Sequence, residues 1–345
     1  MKFSILMPVY NGASVIGQTL ESIFNQSFTD YELIIVDDCS RDETGKVVKS
    51  FKDKRVKYFK NKTNLGYSLN LEECRRKAKG EILYLMGQDD ILAKDAMLNT
   101  YKAFLKSSDI GAVTRPYYWF DREIDKPVRA KKQLNPDKDE ILTINSDKQK
   151  INIMFSTLDQ LSGLAMRKKF VDLPFHPDIF PCHVYPFASI FKNHPVVFLK
   201  DYNLAVRIGS SQCRSPKMYR RKTNYIYDKS PIQSWVEMFN SVYHEKEFKN
   251  FREYMIKNFV AINFVGLVQI RNYASYKYLL REIFMLLKYR VQNIFSFQFW
   301  LFSLGCLIMP PVLLIPLVDW YKDNINGLFF KKIKFVYKND HCYHD

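Results

Sequence analysis

The sequence predicts an α/β fold: a mostly parallel sheet with helices on both faces, followed by a helical C-terminal region. Three observations predict it. Apolar and amphipathic segments alternate through the first hundred residues, the apolar segments are uninterrupted by polar residues, and helical spacing dominates beyond about residue 216. Such alternation is typical of a sheet covered by helices.

The alternation begins with a strand. Four apolar strands are predicted, with the sequences FSILMPVY, YELIIVDD, VKYFKN and EILYLM. Three amphipathic segments lie between them, ASVIGQTLESIFNQS, DETGKVVKSFKDK and SLNLEECRRKAKG. Ligands of parallel sheets bind beyond the carboxyl ends of the strands, so we expect a site at that edge.

The chain divides into three predicted parts: residues 1–110 and 111–215, which are two halves of one domain, and residues 216–345. A lysine-rich stretch at about residues 115–160 predicts an insertion or mobile loop rather than core. The apolar sequence LSGLAMRKKFVDLPF predicts a return to the core after it. The third part is rich in Phe, Tyr, Lys and Arg, and it is predicted to be mostly helical.

Composition narrows the class of protein. A chain of 345 residues that is 47% hydrophobic and 26% charged is globular rather than disordered. Its formal net charge of +16 favours phosphorylated, polyanionic or anionic lipid partners, but no recognised nucleic-acid-binding module accompanies it, so we predict no nucleic-acid partner. The six cysteines form no CxxC pair, which argues against a zinc site or a disulfide framework.

The segment 299–318 is free of charged residues and about long enough to cross a bilayer core. Its three prolines favour a bent hairpin or a segment within one leaflet as readily as a straight span, and a buried core helix is the third alternative. Trp300, Trp320 and the lysines that follow suit anionic lipid. We therefore predict contact with the membrane surface, at the cytoplasmic face of the cell membrane.

Three polar clusters follow the ends of predicted strands: PVYNG, DDCSRDET and GQDD. The carboxyl ends of parallel strands share one edge of a sheet, so the clusters are expected to converge. The last cluster contains adjacent carboxylates, Asp89 and Asp90, and neighbouring like charges repel unless a cation or a donor lies between them. A solvated turn is the alternative for GQDD alone, whereas convergence favours a binding site.

Four motifs resemble, in order and spacing, the nucleotide-sugar domain of family 2 glycosyltransferases of GT-A fold: PVYNG, IIVDDCSRDET, NLG at 64–66, and GEILYLMGQDDIL. The resemblance covers about residues 3–110 and, more weakly, 160–210. It implies a Rossmann-like GT-A fold and inverting transfer of a sugar from a nucleotide-sugar donor, best matched by a UDP-sugar, to an acceptor hydroxyl. With the apolar segment, it points to a lipid-linked or saccharide acceptor in surface polysaccharide synthesis, such as O-antigen or capsule.

The resemblance assigns donor contacts to these motifs. Asp37 and Asp38 end a buried strand, where carboxylates can accept hydrogen bonds from a uracil imide or ribose hydroxyls, and Asp38 is the better match for the base. Tyr10 would pack on the base. Capping of the following helix by Asp38 or Ser40 is the structural alternative. The full predicted donor set is Pro8, Val9, Tyr10, Asn11, Asp37, Asp38, Asn64, Gly66, Gln88 and Arg207.

A departing nucleoside diphosphate gains negative charge, which a divalent cation held by carboxylate oxygens neutralises. The family's metal motif is Asp-x-Asp followed by another Asp, and here Gly87 stands at the first Asp position. The resemblance implies that Asp89 binds Mg²⁺ or Mn²⁺ and that Asp90 supports the metal or the sugar during catalysis. Gln88 would contact ribose or sugar.

An inverting transfer also needs a base that removes the acceptor proton. The family places Glu-Asp before a helix in its second half, where this chain has His183 and Val184. His183 is therefore the predicted catalytic base, with Asp178 as the competing candidate and a structural histidine as the alternative. The segment LAVRIGSSQCR resembles one that closes over the diphosphate, which implies phosphate contacts by Arg207 and Arg214; solvated loop residues are the alternative.

Other classes remain open. The sequence GASVIGQT nearly matches the phosphate-binding loop GxxxxGK[ST], but Gln18 replaces its lysine, which argues against a P-loop NTPase. A catalytically inactive family member that binds a sugar nucleotide or lipid is a second alternative, because Gly87 and His183 depart from the family pattern. Turnover separates that alternative from an enzyme.

Overall fold

The computed structural model describes residues 1–177, 180–209, 230–324, 333 and 335–337, and the predicted residues Asp178 and Arg214 lie outside them. The described chain forms two compact units. The first holds residues 1–177 and 182–208 with residues 333 and 335–337, and the second holds residues 180–181, 209 and 230–324. Residues 1–110 and 111–215, which we predict to be two halves of one domain, meet inside the first unit.

Over its described residues, the first unit contains twelve strands and six α-helices. Its strands are β1 (Phe3–Val9), β2 (Tyr31–Asp37), β3 (Val56–Lys60), β4 (Ile82–Leu85), β5 (Ile91–Leu92), β6 (Ala112–Thr114), β7 (Tyr118–Phe120), β8 (Pro127–Ala130), β9 (Glu140–Leu142), β10 (Ala165–Arg167), β11 (Val196–Phe198) and β12 (Leu204–Arg207). Its helices are α1 (Ile16–Phe24), α2 (Thr44–Ser50), α3 (Tyr67–Lys77), α4 (Ala96–Leu105), α5 (Lys148–Ser156) and α6 (Val184–Asn193), with 3-10 turns at Thr157–Asp159 and Lys168–Phe170.

Eight strands form the main sheet, in the order β3-β2-β1-β4-β10-β6-β11-β9. Strands β1 to β4, which the sequence predicts, pair in parallel, and Val9 lies opposite Asp37. Strand β10 is antiparallel to both neighbours and β9 is antiparallel to β11, so the sheet is mixed. The chain runs outward from β1 to β3 and returns to β4 beside β1. The topological switch point therefore lies between β1 and β4.

Helices pack on the sheet because their apolar residues share one face. In α1, Ile16, Leu20 and Ile23 are fully buried at intervals of three and four residues, whereas Glu21 is partly exposed. Strands β1 and β2 are buried along their whole length, which explains their uninterrupted apolar sequences. Both expected features of the sheet, parallel pairing of the first four strands and helical cover, are present.

A second sheet, in the order β5-β12-β7-β8, takes two strands from the stretch predicted as a mobile loop. Tyr118 and Phe120 of β7 are fully buried, and the ring centroids of Tyr118 and Phe335 are 5.2 Å apart. Strand β9 and helix α5 also fall in this stretch. The prediction of a non-core insertion is therefore wrong. Lysine-rich turns flank short aromatic strands here, and the average composition hides the strands.

The second unit is helical over its described residues. Its helices are α7 (Pro231–Val242), α8 (Lys249–Asn258), α9 (Gly266–Tyr273), α10 (Tyr276–Tyr289), α11 (Phe297–Ile308) and α12 (Pro311–Asn324), with 3-10 turns at Lys246–Phe248, Val260–Ile262 and Val291–Phe295. The apolar segment 299–318 is divided between α11 and α12, as the bent alternative predicts, because Met309 is extended and Pro310 follows it. Among the described residues, no helix has both the length and the apolar character needed to cross a membrane.

Candidate functional site

The side chain of Gln88 joins the two strands at the switch point. Its Oε1 accepts a hydrogen bond from the Tyr10 N–H at 2.9 Å, and its Nε2 donates to the Tyr10 carbonyl at 3.2 Å. A Cβ at Gly12 would lie 2.5 Å from the Gln88 Oε1, so a larger residue there would displace the Gln88 side chain. Both amide atoms of Gln88 therefore hold Tyr10, so the residue predicted to contact ribose or sugar has a positioning role here.

The loops after β1 and β2 are fastened to each other. Asn11, with φ of 47°, accepts from the Arg41 N–H at 2.9 Å and donates its own N–H to Ser40 Oγ at 2.9 Å. The Gly12 N–H donates to Thr44 Oγ1 at 2.8 Å. The clusters PVYNG and DDCSRDET thus converge at one edge of the sheet.

Asp38 holds the loop that leads into α3. Its carboxylate is 3% exposed and accepts from the Leu65 N–H at 2.7 Å, the Gly66 N–H at 2.9 Å and Asn61 Nδ2 at 3.1 Å. Asn64 Nδ2 donates to the Asp38 carbonyl at 2.9 Å. A carboxylate has about four acceptor positions, so roughly one remains for a ligand. The predicted residues of the NLG motif are brought to Asp38, which anchors them.

Contacts within the protein also engage Asp37, Pro8 and Val9. Asp37 is fully buried and accepts from the Ser40 N–H at 2.7 Å and from the Tyr58 hydroxyl at 2.6 Å. Pro8 and Val9 are buried within β1. These residues shape the edge of the sheet, whereas the Tyr10 side chain is half-buried there.

Asp90 is a buried carboxylate beside a second carboxylate. It is 2% exposed, and it accepts hydrogen bonds from Ser162 Oγ and from the Arg207 backbone N–H. Burial and, next, the charge of the adjacent Asp89 raise the pKa of Asp90 to about 8. A cation at this pair would relieve the repulsion that the raised pKa reflects.

The residues around Gly87 fit a divalent metal. A Cβ at Gly87 would lie 3.1 Å from Asp89 Oδ1 and from Ser162 Oγ, so neighbouring oxygens already crowd the position of the family's first aspartate. Over the described part of the chain, no group of three His, Cys, Asp or Glu is suited to hold a metal. Mg²⁺ commonly takes one or two carboxylates and completes its shell with phosphate oxygens and water. Asp89 and Asp90 match that smaller donor set.

Tyr67, the first residue of α3, brings a further segment to the aspartates. Its hydroxyl is hydrogen-bonded to Cys182. Burial raises the pKa of Tyr67 well above its usual value, and Cys182, Asp90 and Asp89 add to the effect. Cys182, two residues before the start of α6, therefore lies near the aspartate pair.

His183, at the start of that helix, is 4% exposed. Its Nε2 donates to the Leu158 carbonyl at 2.8 Å, and its Nδ1 lies 3.9 Å from Cys182 Sγ. Burial lowers the pKa of His183 to about 4. A base needs a lone pair directed at the substrate, and the Nε2 proton is committed to Leu158. These contacts favour the structural alternative for His183.

Arg207 ends β12 and connects it to α1. Its guanidinium donates to Gln18 Oε1 and lies 4.8 Å from the Phe120 ring centroid. Its Nε is buried and has no hydrogen-bond partner among the described residues. Since the Arg207 N–H also binds Asp90, this donor lies near the aspartate pair. Gln18, from the near match to the P-loop, accepts from an arginine rather than presenting a lysine.

Sequence reasoning missed Arg115 and Ser162. Arg115 is fully buried, and its guanidinium donates to the carbonyls of Ser162, of Gln160 at 3.0 Å and of Thr157 at 3.4 Å. The charge of Arg115 opposes the rise in the pKa of Asp90. Neither residue stands in a recognisable motif, and both lie at the margins of the stretch taken for a loop.

A second group that sequence reasoning missed is an aromatic–basic cluster formed by Tyr117, Trp119, Arg129, Lys131 and Asp159. The Tyr117 and Trp119 ring centroids are 4.7 Å apart, and the Arg129 guanidinium lies 4.5 Å from the Trp119 centroid. Lys131 Nζ pairs with Asp159 Oδ2 at 2.8 Å, and the Tyr117 hydroxyl donates to the same carboxylate. Aromatic faces and cations together can bind a sugar ring and a phosphate. The aromatic run YYWF and the basic run RAKK that follows it in the sequence could have indicated this cluster.

Comparison with known sequences identifies a family. Residues 4–172 match the model of glycosyl transferase family 2. An uncharacterized glycosyltransferase of Haemophilus influenzae is 38% identical over 96 residues, which are 27% of this chain and 38% of that protein. The GalNAc(5)-diNAcBac-PP-undecaprenol β-1,3-glucosyltransferase of Campylobacter jejuni is 34% identical over 99 residues, 28% of this chain and 32% of that protein. The chain thus spans well under half the length of these curated relatives.

Two solved structures resemble most of the chain. Staphylococcus aureus TarS 1-349 in complex with UDP has a TM-score of 0.61 at 15% identity and covers 95% of this chain and 90% of that one. The mannosyltransferase PcManGT of Pyrobaculum calidifontis, in complex with GDP-Man and Mn²⁺, has a TM-score of 0.54 at 15% identity, with coverage of 89% and 86%. At these identities the likeness shows the fold, which is GT-A. The match over residues 4–172 identifies this part of the chain as a glycosyl transferase family 2 domain.

Proposed function

We propose that this chain transfers a sugar, with inversion, from a UDP-sugar to a hydroxyl of a lipid-linked or polymeric saccharide. A bound UDP in the TarS structure supports the donor class. Two relatives support the acceptor class by name: one acts on a PP-undecaprenol-linked glycan, and TarS is a poly(ribitol-phosphate) β-N-acetylglucosaminyltransferase. PcManGT was solved with GDP-Man, so GDP-sugars are the comparison donors in any test.

The observation that carries the proposal is the aspartate pair at the switch point. Asp90 is buried beside Asp89, and Ser162 and the Arg207 N–H hold it in place. A structural turn has no need of two adjacent carboxylates with one of them removed from water. The divalent cation that accompanies a donor diphosphate would supply positive charge to this pair of carboxylates.

In this proposal each residue of the site has its own role. Asp89 holds the metal and Asp90 supports it. The metal, when bound, neutralises charge on the departing diphosphate. Arg207 offers its guanidinium to a phosphate oxygen, which adds a charge-assisted hydrogen bond. Asp38 uses its remaining acceptor position for the base or ribose, and Gln88 fixes the backbone of Tyr10 against which the base packs.

The aromatic–basic cluster is the proposed acceptor surface. It connects to the aspartate pair through buried groups: Tyr117 lies 5.3 Å below the Arg115 guanidinium, Arg115 binds the Ser162 carbonyl, and Ser162 Oγ binds Asp90. Trp119 offers a ring face for a sugar. The neighbouring cations suit an acceptor that carries a phosphate or diphosphate, as a lipid-linked glycan does.

Asp178 is the proposed base, in place of His183. The Nε2 of His183 is committed to the Leu158 carbonyl, and its pKa is about 4, so it removes an acceptor proton poorly. Asp178 is the other candidate in the segment where the family keeps its base, and it lies outside the described residues.

The direct test is release of the nucleoside diphosphate from UDP-glucose, UDP-GlcNAc, UDP-galactose and GDP-mannose, with and without Mn²⁺. Metal-dependent release of UDP is expected, and Asp89→Asn should reduce it at least about 100-fold, because metal stabilisation of the leaving group is worth several kcal/mol. Asp137→Asn, which changes an exposed aspartate of the first unit, is the matched control and should leave the rate unchanged. Binding of UDP without release from any donor would support the inactive alternative.

The base is tested with Asp178→Asn and His183→Gln, measured as transfer rate and as affinity for UDP. Glutamine keeps a donor for the Leu158 carbonyl, so His183→Gln should retain most of the activity. Asp178→Asn should reduce transfer by about 100-fold or more with UDP affinity unchanged. The reverse pattern would return the base role to His183.

A further inference from the structure

We propose that the second unit docks on an anionic lipid bilayer through one apolar face that lies in the plane of the membrane. We call this surface the membrane face. Its members are large apolar residues on the 3-10 turn Val291–Phe295, on α11 and on α12, with exposed fractions of 39% to 89%: Val291, Ile294, Phe295, Phe297, Trp300, Leu301, Leu304, Ile308, Val312, Leu313 and Leu317.

Helix α11 is apolar on its outward face as well as on its inward face. The residues Trp300, Leu301, Leu304 and Ile308 are exposed, although each is large and apolar. The inward positions are Phe299, Ser303 and Cys306, which are at most 1% exposed. A helix made for water places its apolar residues inward and its polar residues outward. The outward face of α11 therefore matches an apolar environment.

Helix α12 repeats the pattern. Val312 is 80% exposed and Leu313 is 60% exposed, while Leu314 and Val318 are buried. The two helices contact each other, since a Cβ at Gly305 would lie 3.9 Å from Leu314 Cδ1. Their exposed residues therefore lie on adjacent helices rather than at isolated places in the unit. Exposed apolar surfaces of this size mark binding to a protein or a membrane.

The absence of charge favours lipid over a protein partner. No charged residue occurs over residues 291–318. Protein interfaces carry a polar rim with charged residues, whereas the acyl region of a bilayer excludes charge. Trp300 is 39% exposed, and its Nε1 donates a hydrogen bond to the Ile294 carbonyl at 2.7 Å. Its polar atom therefore has a hydrogen-bond partner without water. Tryptophan is the residue most enriched at the lipid–water boundary.

The preceding helix, α10, carries the positive charge that suits an anionic lipid surface. Its exposed residues are Tyr276, Lys277, Leu280, Arg281, Phe284 and Lys288, so every exposed charge on this helix is positive. Its one acidic residue, Glu282, is buried. Cations interleaved with Leu280 and Phe284 suit a helix that lies among anionic headgroups.

Helix length determines how the membrane face meets the bilayer. Helix α11 has 12 residues, which correspond to about 18 Å, and a bilayer core is about 30 Å thick. The break at Met309 and Pro310 separates it from α12. The pair therefore enters one leaflet, with the cations of α10 at the headgroups. This inference concerns binding to lipid and stands whether or not the chain transfers sugar.

The experiment is co-sedimentation of the full chain with vesicles of phosphatidylcholine, with and without phosphatidylglycerol, in the absence of sugar nucleotide and metal. Binding should be at least about tenfold stronger when phosphatidylglycerol is present, because the exposed cations of α10 are attracted to an anionic surface. The double variant Leu301→Glu/Leu304→Glu should abolish binding to both vesicles. Lys277→Glu/Lys288→Glu should remove the preference for phosphatidylglycerol.

Leu105→Glu is the matched control, since Leu105 of α4 in the first unit is 64% exposed and should not affect sedimentation. Thermal unfolding of each variant shows that the loss of binding is not a loss of fold; both glutamates lie at exposed positions, so the transition should not move. Equal binding by Leu301→Glu/Leu304→Glu would overturn the proposal. A stable dimer of the wild type that does not sediment with either vesicle, and that dissociates in the double variant, would also overturn it and assign the face to a second copy of the chain.

Discussion

The aspartate pair of the first unit and the membrane face of the second break the same rule in opposite directions. Asp90 is a carboxylate that is 2% exposed, whereas Phe295 and Phe297 are 89% and 78% exposed. Soluble proteins ordinarily leave carboxylates in water and bury large apolar side chains. Each region is therefore arranged for a partner other than water, which we propose to be a divalent cation at Asp90 and lipid at the two phenylalanines.

Burial of an acid is not enough to make a site, and the second unit shows why. Glu282 is 1% exposed and accepts from the Ile232 N–H at 3.0 Å, and burial raises its pKa to about 7. No second acid stands beside it in the sequence, whereas Asp89 adjoins Asp90. An isolated acid can simply bind a proton, whereas an adjacent pair is suited to a cation.

The largest effect is expected when the buried hydrogen-bond network of Arg115 is broken. Arg115→Met removes the donors to the Ser162, Gln160 and Thr157 carbonyls. We expect the free energy of unfolding to fall by about 3 to 5 kcal/mol, because buried partners are left unpaired. Urea denaturation measures it. The exposed Arg122→Met is the control and should change it by less than about 0.5 kcal/mol. A loss that small for Arg115→Met would mean that the network does not hold the site.

A smaller change in stability, of opposite sign, is expected at Glu282, the isolated buried acid of the second unit. Its pKa is raised from 4.5 to about 7, so the folded state binds the proton more tightly than the unfolded state does. Stability is therefore lost as pH rises from about 4.5 to 7. Glu282→Gln should remove this dependence and raise stability at pH 8 by about 1 to 3 kcal/mol. Thermal unfolding at pH 5 and pH 8 tests it, and an equal effect at both values would contradict the cause given.

The smallest effect concerns the support of Asp90. Ser162→Ala removes the hydroxyl that binds Asp90 and accepts from the Gly87 N–H at 2.8 Å. We expect a loss of about 1 to 2 kcal/mol in stability and about tenfold in metal-dependent turnover. Ser156→Ala, whose hydroxyl donates to the Ile153 carbonyl in α5, is the control for removal of a serine hydroxyl. Turnover that falls equally in both variants would argue against a special role for Ser162.

The sequence predicted what depends on local pattern. The parallel strands β1 to β4, the convergence of their polar ends and the adjacency of Asp89 and Asp90 all follow from short apolar runs and from where they stop. The break within 299–318 follows from its prolines. These features are fixed by residues that are close neighbours in the chain.

The features that the sequence did not predict depend on partners that are distant in the chain. Ser162 meets Asp90 across 72 residues and Gln88 meets Tyr10 across 78, and no local pattern reports such pairs. The commitment of His183 to Leu158 is equally invisible, since any histidine before a helix looks available as a base. The strand β7 was missed because three aromatic residues stand between polar turns and are too short a run for period analysis.

The central claim is that the aspartate pair holds a metal with a nucleoside diphosphate. Calorimetric titration of UDP into the full chain, with and without Mn²⁺, tests it most directly, beside Asp89→Asn and the control Asp137→Asn. The account predicts that Mn²⁺ strengthens UDP binding at least about tenfold in the wild type and in Asp137→Asn, and that Asp89→Asn loses this gain. Equal UDP binding with and without Mn²⁺, or a gain that survives in Asp89→Asn, would contradict it.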